Sequence, residues 1–166
     1  KETYVFQDDS KHSIKFFYME RGAGASNLKL KINIPPIPDG SLEIKKEVKG
    51  LNPDQAKNEK FYFQLLDTDD KPISVPSYTV GKETRYTDPN GYIWIYGGER
   101  AQITNGLKAE QKVKVREVKE QITPDIYETE CESTNSDGQI IKSNNNEITV
   151  EIPSVSSIEV KVTNTV

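Results

Sequence analysis

Short runs of alternating apolar and polar residues occur along most of this chain. The clearest are KFYFQLL (60–66), GYIWIYG (91–97), KVKVREV (112–118) and IEVKVTN (158–164). Alternation with a period of two is typical of β-strands that have one buried face. LEIKKEV, SYTVG, AQITN, IYETEC and EITVEI continue the pattern, with turn-forming stretches such as DPNG and NSDG between them. The pattern predicts an all-β, antiparallel β-sandwich.

One stretch departs from this alternation. NPDQAKNEK (52–60) contains residues that are compatible with a single helical turn. A polar loop is an equal alternative for the same residues, and no helical period elsewhere extends over three turns.

A stiff, proline-rich segment divides the chain. NIPPIPDGS (33–41) contains three prolines and an Asp-Gly pair, which together are typical of a connector. We therefore predict a linker at 37–41 and a sandwich domain at 42–166. Residues 1–36 are predicted to be the C-terminal strands or tail of a preceding domain, forming a β-hairpin from SIKFFYMER and NLKLKINI. Because a lone hairpin is marginal in water, we expect these strands to be either mobile or paired with something outside the main sandwich.

Three polar residues continue apolar stripes on three different strands. Lys46 lies on the apolar face of LEIKKEV, Glu117 on that of KVKVREV, and Asn164 on that of the last strand. A polar side chain costs a few kcal/mol to bury unless it finds partners. Each residue also has an ordinary alternative: a bulge at Lys45 would turn either lysine outward. Independently of this, Glu117 could sit at a strand end, and Asn164 could lie in a frayed terminus.

Taken together, these three side chains predict a chemical reaction. Burial disfavours charge on a lysine and on a glutamate, so Lys46 and Glu117 are expected as a neutral amine and a neutral acid. The amine is a nucleophile, and the carboxamide carbon of Asn164 is an electrophile. The acid can polarise that carbonyl and pass a proton to the leaving ammonia. The expected product is an amide bond between Lys46 and Asn164, formed once by proximity in the folded core.

The same segments resemble a known family. LEIKKEVKG, KFYFQLL, GGERAQITNGL, KVKVREV and IEVKVTNTV follow one another as in the Cna B-type domains of Gram-positive surface adhesins and pilins, over residues 42–166. The resemblance implies a reverse-Ig sandwich with an intramolecular isopeptide bond. Lys46 and Asn164 match the crosslinked residues of that family, and Glu117 matches its catalytic proton shuttle.

Composition narrows the possible functions. The chain has 22 Lys and Arg against 26 Asp and Glu, a net charge of −4, which argues against a nucleic-acid binder. Its single cysteine, Cys131, excludes an internal disulfide, and its single histidine, His12, is expected to be a surface or strand residue. GAGAS lacks the Gly-Lys-Ser/Thr of a phosphate loop, and no apolar run is long enough to span a bilayer. We predict no enzyme turnover, metal, cofactor or membrane contact.

The predicted function is mechanical. With the resemblance, the chain is expected to be a stalk module of an adhesin or pilus, outside the cell and anchored to the cell wall. Force would enter near the first strand and leave by the last. The expected partners are neighbouring domains of the same surface protein, with host extracellular matrix or glycan bound through a missing domain.

A binding module is the alternative hypothesis. The resemblance places Ile93 and Ile95 inside the sandwich, so that Tyr92, Trp94 and Tyr96 form an outward aromatic row. Such a row could stack on a host glycan or protein, or pack on a preceding domain. A third hypothesis, an accessory domain of a secreted glycosidase, lacks a suitably placed pair of carboxylates.

Overall fold

The computed structural model describes residues 38–118, 128–135 and 138–166. They belong to the second of the chain's two units, Pro36–Val166. The predicted hairpin at 1–36 and His12 lie outside the described residues, so the fold is that of the sandwich region.

The described residues form eleven strands and one short helix. In chain order these are β1 (Ser41–Lys49), α1 (Pro53–Asn58), β2 (Lys60–Leu66), β3 (Tyr78–Val80), β4 (Glu83–Arg85), β5 (Tyr92–Tyr96), β6 (Arg100–Ile103), β7 (Lys112–Glu117), β8 (Glu128–Thr134), β9 (Ile140–Ser143), β10 (Glu147–Glu151) and β11 (Ser157–Thr165). Within the described residues, each run predicted from alternation overlaps a strand. The alternation did not predict β4 or β9.

The strands form two sheets. One has seven strands in the order β4-β3-β6-β1-β11-β8-β9, and the other has four in the order β10-β7-β2-β5. The described strand pairs are antiparallel with one exception, since β1 and β11 pair in parallel from Ser41–Ser157 to Lys49–Thr165. The predicted all-β sandwich is confirmed, and the parallel pairing of its first and last strands is an addition to it.

Alternate residues of the two sheets meet in a shared apolar core. Phe61, Phe63 and Leu65 on β2 are fully buried, as are Ile93 and Ile95 on β5. Full burial of a side chain of this size contributes about 1.5–3 kcal/mol, so the core supplies the main stabilisation of the domain. Any polar group inside this core is surrounded by apolar neighbours.

A capped helix, α1, follows β1. The side chain of Asn52 accepts from the backbone N–H groups of Asp54 and Gln55, while the side chain of Gln55 accepts from the N–H of Asn52. This reciprocal capping box, with Pro53 at the first helical position, stabilises a short helix start. Of the two alternatives for this stretch, the structure shows the helix.

The described end of the predicted linker contacts the sandwich. The N–H of Gly40 donates to the carbonyl of Leu107 at 2.8 Å, and Asp39 forms an ion pair with Lys108. β1 begins directly afterwards at Ser41. Residues 38–40 therefore lie against the connection between β6 and β7, while the domain boundary itself stays a prediction.

Candidate functional site

Three polar side chains meet inside the core. The Nζ atom of Lys46 lies 2.5 Å from Oε1 of Glu117, and Nδ2 of Asn164 donates to the same oxygen at 3.3 Å. All three residues are 0% exposed. The structure thus brings together the three residues singled out in the sequence. Lys46 is not at a bulge, Asn164 is paired within β11, and Glu117 is fully buried although it ends β7.

Strand pairing explains how the cluster forms. In the parallel register of β1 and β11, Lys46 is opposite Val162 and Asn164 is opposite Val48. Residues two positions apart share a strand face, so Lys46 and Asn164 are diagonal neighbours on adjacent strands. Glu117 is the last residue of β7 in the other sheet, and it reaches both from across the core.

The neighbouring lysine points the other way. The amine of Lys45 pairs with Glu47 at 2.5 Å, and its side chain is 26% exposed. Burial alternates without interruption from Leu42 to Lys46, which shows that β1 has no bulge there. Lys46 is therefore the buried amine of the two, and its burial follows from the register of β1.

Burial makes the amine of Lys46 easier to deprotonate. Desolvation, the largest cause, lowers the pKa of the Lys46 amine to about 8, against the opposing attraction of Glu117. The ring centroids of Phe61 and Phe63 lie 4.4 Å and 6.0 Å from Nζ and form an apolar wall. An amine with a lowered pKa gives up its proton more readily, which a lysine nucleophile requires.

Asn164 has an unpaired carbonyl oxygen. Its Oδ1 is buried and has no hydrogen-bond partner within residues 38–118, 128–135 and 138–166. A buried acceptor left in this state costs about 1–3 kcal/mol. Half a turn of the amide about its Cβ–Cγ bond exchanges Oδ1 with Nδ2 and directs Oδ1 to Glu117, where a protonated carboxyl can donate to it. The cluster therefore contains an acceptor suited to a proton from Glu117.

Strand β8 adds two residues around Glu117. The hydroxyl of Thr129 donates to Oε2 of Glu117 at 3.3 Å, and the thiol of Cys131 donates to the carbonyl of Asn145 at 3.3 Å. Burial, reinforced by the charge of Glu117, raises the pKa of Cys131 to about 12, so its thiol stays neutral. Thr129 was not among the site residues predicted from the sequence. It shares the buried face of β8 with Cys131 and Ser133.

The predicted aromatic row lies on β5, at the edge of the four-stranded sheet. Tyr92, Trp94 and Tyr96 are each half-buried. The guanidinium carbon of Arg85 lies 3.8 Å from the centre of the Trp94 ring, and the amine of Lys60 lies 4.3 Å from it. Two cations of the protein therefore stack on Trp94, as the negative face of an indole favours.

The described part of the chain shows neither a metal-binding cluster nor a membrane-spanning helix. No group of three His, Cys, Asp or Glu side chains there is placed to hold a metal ion. Nor does this part contain a helix of sufficient length and apolarity to cross a membrane.

The fold is similar to that of solved pilins. The major pilin from Streptococcus pyogenes superposes with a TM-score of 0.55 at 19% identity, covering 76% of this chain and 48% of that one. The T3.2 major pilin of the same species gives a TM-score of 0.55 at 24% identity, covering 77% and 45%. The T-13 major pilin gives 0.51 at 16% identity, with the same coverage as T3.2. The chain thus spans about half the length of these pilins.

These comparisons establish the fold. No protein-family model matches the sequence, and no curated protein does. The described unit is a β-sandwich with the fold of a domain found in Gram-positive pilins, and at this level the resemblance to Cna B-type domains is confirmed.

Proposed function

We propose that this chain is a structural module of a bacterial surface pilus or adhesin, stabilised by an isopeptide bond between Lys46 and Asn164. One observation carries the proposal: a buried amine and a buried amide converge on the same oxygen of Glu117, at 2.5 Å and 3.3 Å. The pilin-like fold supports a role in a surface assembly.

The reaction needs only these three side chains. Lys46 and Glu117 share a proton across a short contact, so a neutral amine can stand beside a neutral acid. Nζ attacks Cγ of Asn164 while Glu117 donates its proton to Oδ1. The carboxylate then takes a proton from Nζ and passes it to Nδ2. The Cγ–Nδ2 bond breaks, ammonia leaves, and Glu117 regains the Oδ1 proton as the carbonyl re-forms.

The bond would connect the first strand to the last. Tension entering β1 would pass through the Lys46–Asn164 link into β11, without unfolding the residues between them. As a constraint on the unfolded chain, the link resembles a disulfide that closes a loop of ~100 residues, worth roughly 4–5 kcal/mol in the chain-entropy model. It requires no cysteine partner, which agrees with a chain that has only Cys131.

The cellular setting belongs to the same proposal. The module would lie outside the cell on a protein anchored to the cell wall, between neighbouring domains of that protein, with host matrix or glycan bound by a different domain. It would catalyse a single event on itself and no turnover. The stacking of Arg85 and Lys60 on Trp94 gives no support to the alternative of glycan binding through the aromatic row.

The mass of the intact, denatured protein tests the bond. We expect the wild-type mass to be lower than the sequence mass by one ammonia, because amide formation releases Nδ2. Lys46→Ala should keep the full mass of its sequence, and the matched control Lys45→Ala should lose ammonia like the wild type. A wild-type protein with its full sequence mass would refute the bond.

The same measurement tests the role of Glu117. Glu117→Ala should fold and keep its ammonia, since no group remains to shuttle protons. Added to Asn164→Ala, which cannot crosslink, Glu117→Ala should also cost about 3–5 kcal/mol of stability, because unreacted Lys46 is left buried without its partner. Glu47→Ala, which removes the outward partner of Lys45, is the matched control and should still crosslink. Complete crosslinking of Glu117→Ala would remove Glu117 from the mechanism.

A further inference from the structure

We infer that Thr129 is a positioning residue for isopeptide formation, an inference that rests on the proposed function. Its hydroxyl holds the carboxyl of Glu117 so that the acidic proton lies on Oε1, the oxygen that faces both reacting groups. No described side-chain hydrogen bond joins the Thr129 hydroxyl to Lys46 or Asn164, so it acts through Glu117.

The two oxygens of Glu117 have separate partners. Oε1 contacts the Lys46 amine at 2.5 Å and the Asn164 amide at 3.3 Å. Oε2 accepts from the hydroxyl of Thr129 at 3.3 Å. The carboxyl is therefore held from both sides, with one oxygen toward the reaction and the other toward β8.

The backbone places Thr129 for this contact. β8 pairs with β11 so that Thr129 is directly opposite Asn164. Thr129 is 7% exposed and faces the core, like Asn164 beside it. Because threonine is branched at Cβ, its hydroxyl has few rotamers available once the methyl group is packed. The donor to Oε2 is thus fixed by the same strand pairing that places the electrophile.

The contact selects the position of the proton on the neutral acid. A protonated carboxyl has one O–H, which donates, and one carbonyl oxygen, which accepts. The Thr129 hydroxyl has no other described hydrogen-bond partner, so donation to Oε2 is the arrangement that satisfies its own proton. Oε2 is then the acceptor, and the acidic proton is on Oε1. From Oε1 the proton can reach Oδ1 of Asn164. Without Thr129 the proton can also occupy Oε2, where no reacting group receives it.

Cys131 does not substitute for this hydroxyl. It lies two residues along the same face of β8, but its thiol donates to the carbonyl of Asn145. Ser133 is two residues further, and its hydroxyl donates to the carbonyl of Glu159 at 2.9 Å. Of the three buried polar side chains on this face, Thr129 is the one that contacts Glu117.

Timed refolding of the full chain tests the inference. Unreacted chain collected from inclusion bodies in denaturant is diluted into buffer, quenched in acid at intervals, and its ammonia loss is followed by intact mass. Thr129→Val removes the hydroxyl with little change in shape, and we expect about a tenfold slower loss, as a hydrogen bond of ordinary strength predicts. Thr129→Ser should react within about twofold of the wild type, since it keeps the donor.

Controls separate positioning from packing. Ser133→Ala removes a buried hydroxyl from the same strand face and should react at the wild-type rate. Thr129→Ser and Thr129→Ala both lose the methyl group and differ only in the hydroxyl, so their comparison holds even if Thr129→Val does not fold. Faster reaction of Thr129→Ser than of Thr129→Ala, at equal stability toward denaturant, supports positioning.

The outcomes distinguish this inference from the function on which it rests. A wild-type chain that never loses ammonia overturns both. A wild-type chain that loses ammonia, with Thr129→Ala as fast as Thr129→Ser, overturns the role of Thr129 and leaves the bond in place.

Discussion

Lys46 is an amine in surroundings that favour a neutral group. It is fully buried beside the rings of Phe61 and Phe63, with Glu117 as its ion-pair partner. Replacing a charge pair of this kind by apolar groups is often neutral or stabilising, so the pair is weak evidence for a purely structural role. Its position beside the unpaired amide oxygen of Asn164 agrees better with a reactive role.

The lowered pKa of Lys46 predicts a pH dependence for the unreacted fold. In Asn164→Ala, which cannot crosslink, we expect the folded Lys46 amine to keep its lowered pKa of about 8, against the ordinary value of 10.5 in the unfolded chain. Between these values the unfolded state binds more protons, so stability should rise as the pH increases from about 8 to about 10.5. Denaturant midpoints measured across this window test the expectation.

Two controls accompany this measurement. The double variant Lys46→Met, Asn164→Ala has no amine at the site and should lack this increase. The wild type should lack it too, because a crosslinked Lys46 is an amide that does not titrate. An equal increase in all three proteins would show that Lys46 does not cause it.

The three clustered polar residues were predictable from the sequence, but the contact of Thr129 with Glu117 was not. Lys46, Glu117 and Asn164 each interrupt an apolar stripe, which is a signal that alternation exposes. Thr129 is an ordinary strand residue, so nothing in its own segment marks it as the partner of Glu117. Contacts between the two sheets depend on strand order and twist, which alternation within one strand does not encode.

At the level of elements, β5 is an edge strand whose hydrogen-bonding groups are capped. Alternate residues of β5 direct their backbone N–H groups away from β2, and each meets a side-chain acceptor from another segment. The pairs are Tyr92 with Asp88 at 3.0 Å, Trp94 with Tyr78 at 3.1 Å and Tyr96 with Glu99 at 2.8 Å. An edge capped in this way offers no free N–H ladder to another strand.

Tyr78 should be the most sensitive of these caps. Its hydroxyl accepts from the N–H of Trp94 and donates to the Trp94 carbonyl at 3.2 Å, and the ring is buried. Tyr78→Phe leaves the N–H of Trp94 without its acceptor, while Arg85 still donates to the Trp94 carbonyl. We therefore expect a loss of about 1–3 kcal/mol in the free energy of unfolding. Chemical denaturation measures the loss, and hydrogen exchange at Trp94 should become faster.

Tyr86→Phe is the matched control, because Tyr86 is 76% exposed. It should unfold like the wild type. Equal stability of Tyr78→Phe and Tyr86→Phe would contradict a structural role for the Tyr78 hydroxyl.

The strands that the sequence did not predict share a physical cause. β4 (Glu83–Arg85) has only three residues, and its buried member is the charged Arg85 rather than an apolar residue. No residue of β9 (Ile140–Ser143) is buried, so neither of its faces carries an apolar stripe. Both lie at the edges of the larger sheet, where pairing to one neighbour is enough to form a strand.

At the scale of the whole molecule, the parallel pairing of β1 and β11 determines how the unit responds to a stretching force. The first residue of β1 lies beside the first residue of β11, and their last residues also pair. Pulling β1 by its start and β11 by its end therefore slides the strands along each other and loads their hydrogen bonds together. The proposed bond would join these two strands through residues that are offset by two positions in the register.

Single-molecule pulling on the two ends of the unit tests this arrangement. We expect the wild type to lengthen little at high force, because the link between Lys46 and Asn164 shields the chain between them. Lys46→Ala should release that chain, adding about 3.3–3.6 Å per residue. Lys45→Ala is the control and should behave as the wild type. Equal lengthening of the wild type and Lys46→Ala would exclude a link that bears load.

The three groups of the proposed reaction lie on β1, β7 and β11 and belong to both sheets. A chain therefore brings them together only after these strands of the two sheets have packed against each other. Each released ammonia would then mark one completed folding event, and the mark would persist if that chain later unfolded. In a mixed population, the crosslinked fraction would count the chains that have ever been native, a history that spectroscopic probes of the present state do not retain.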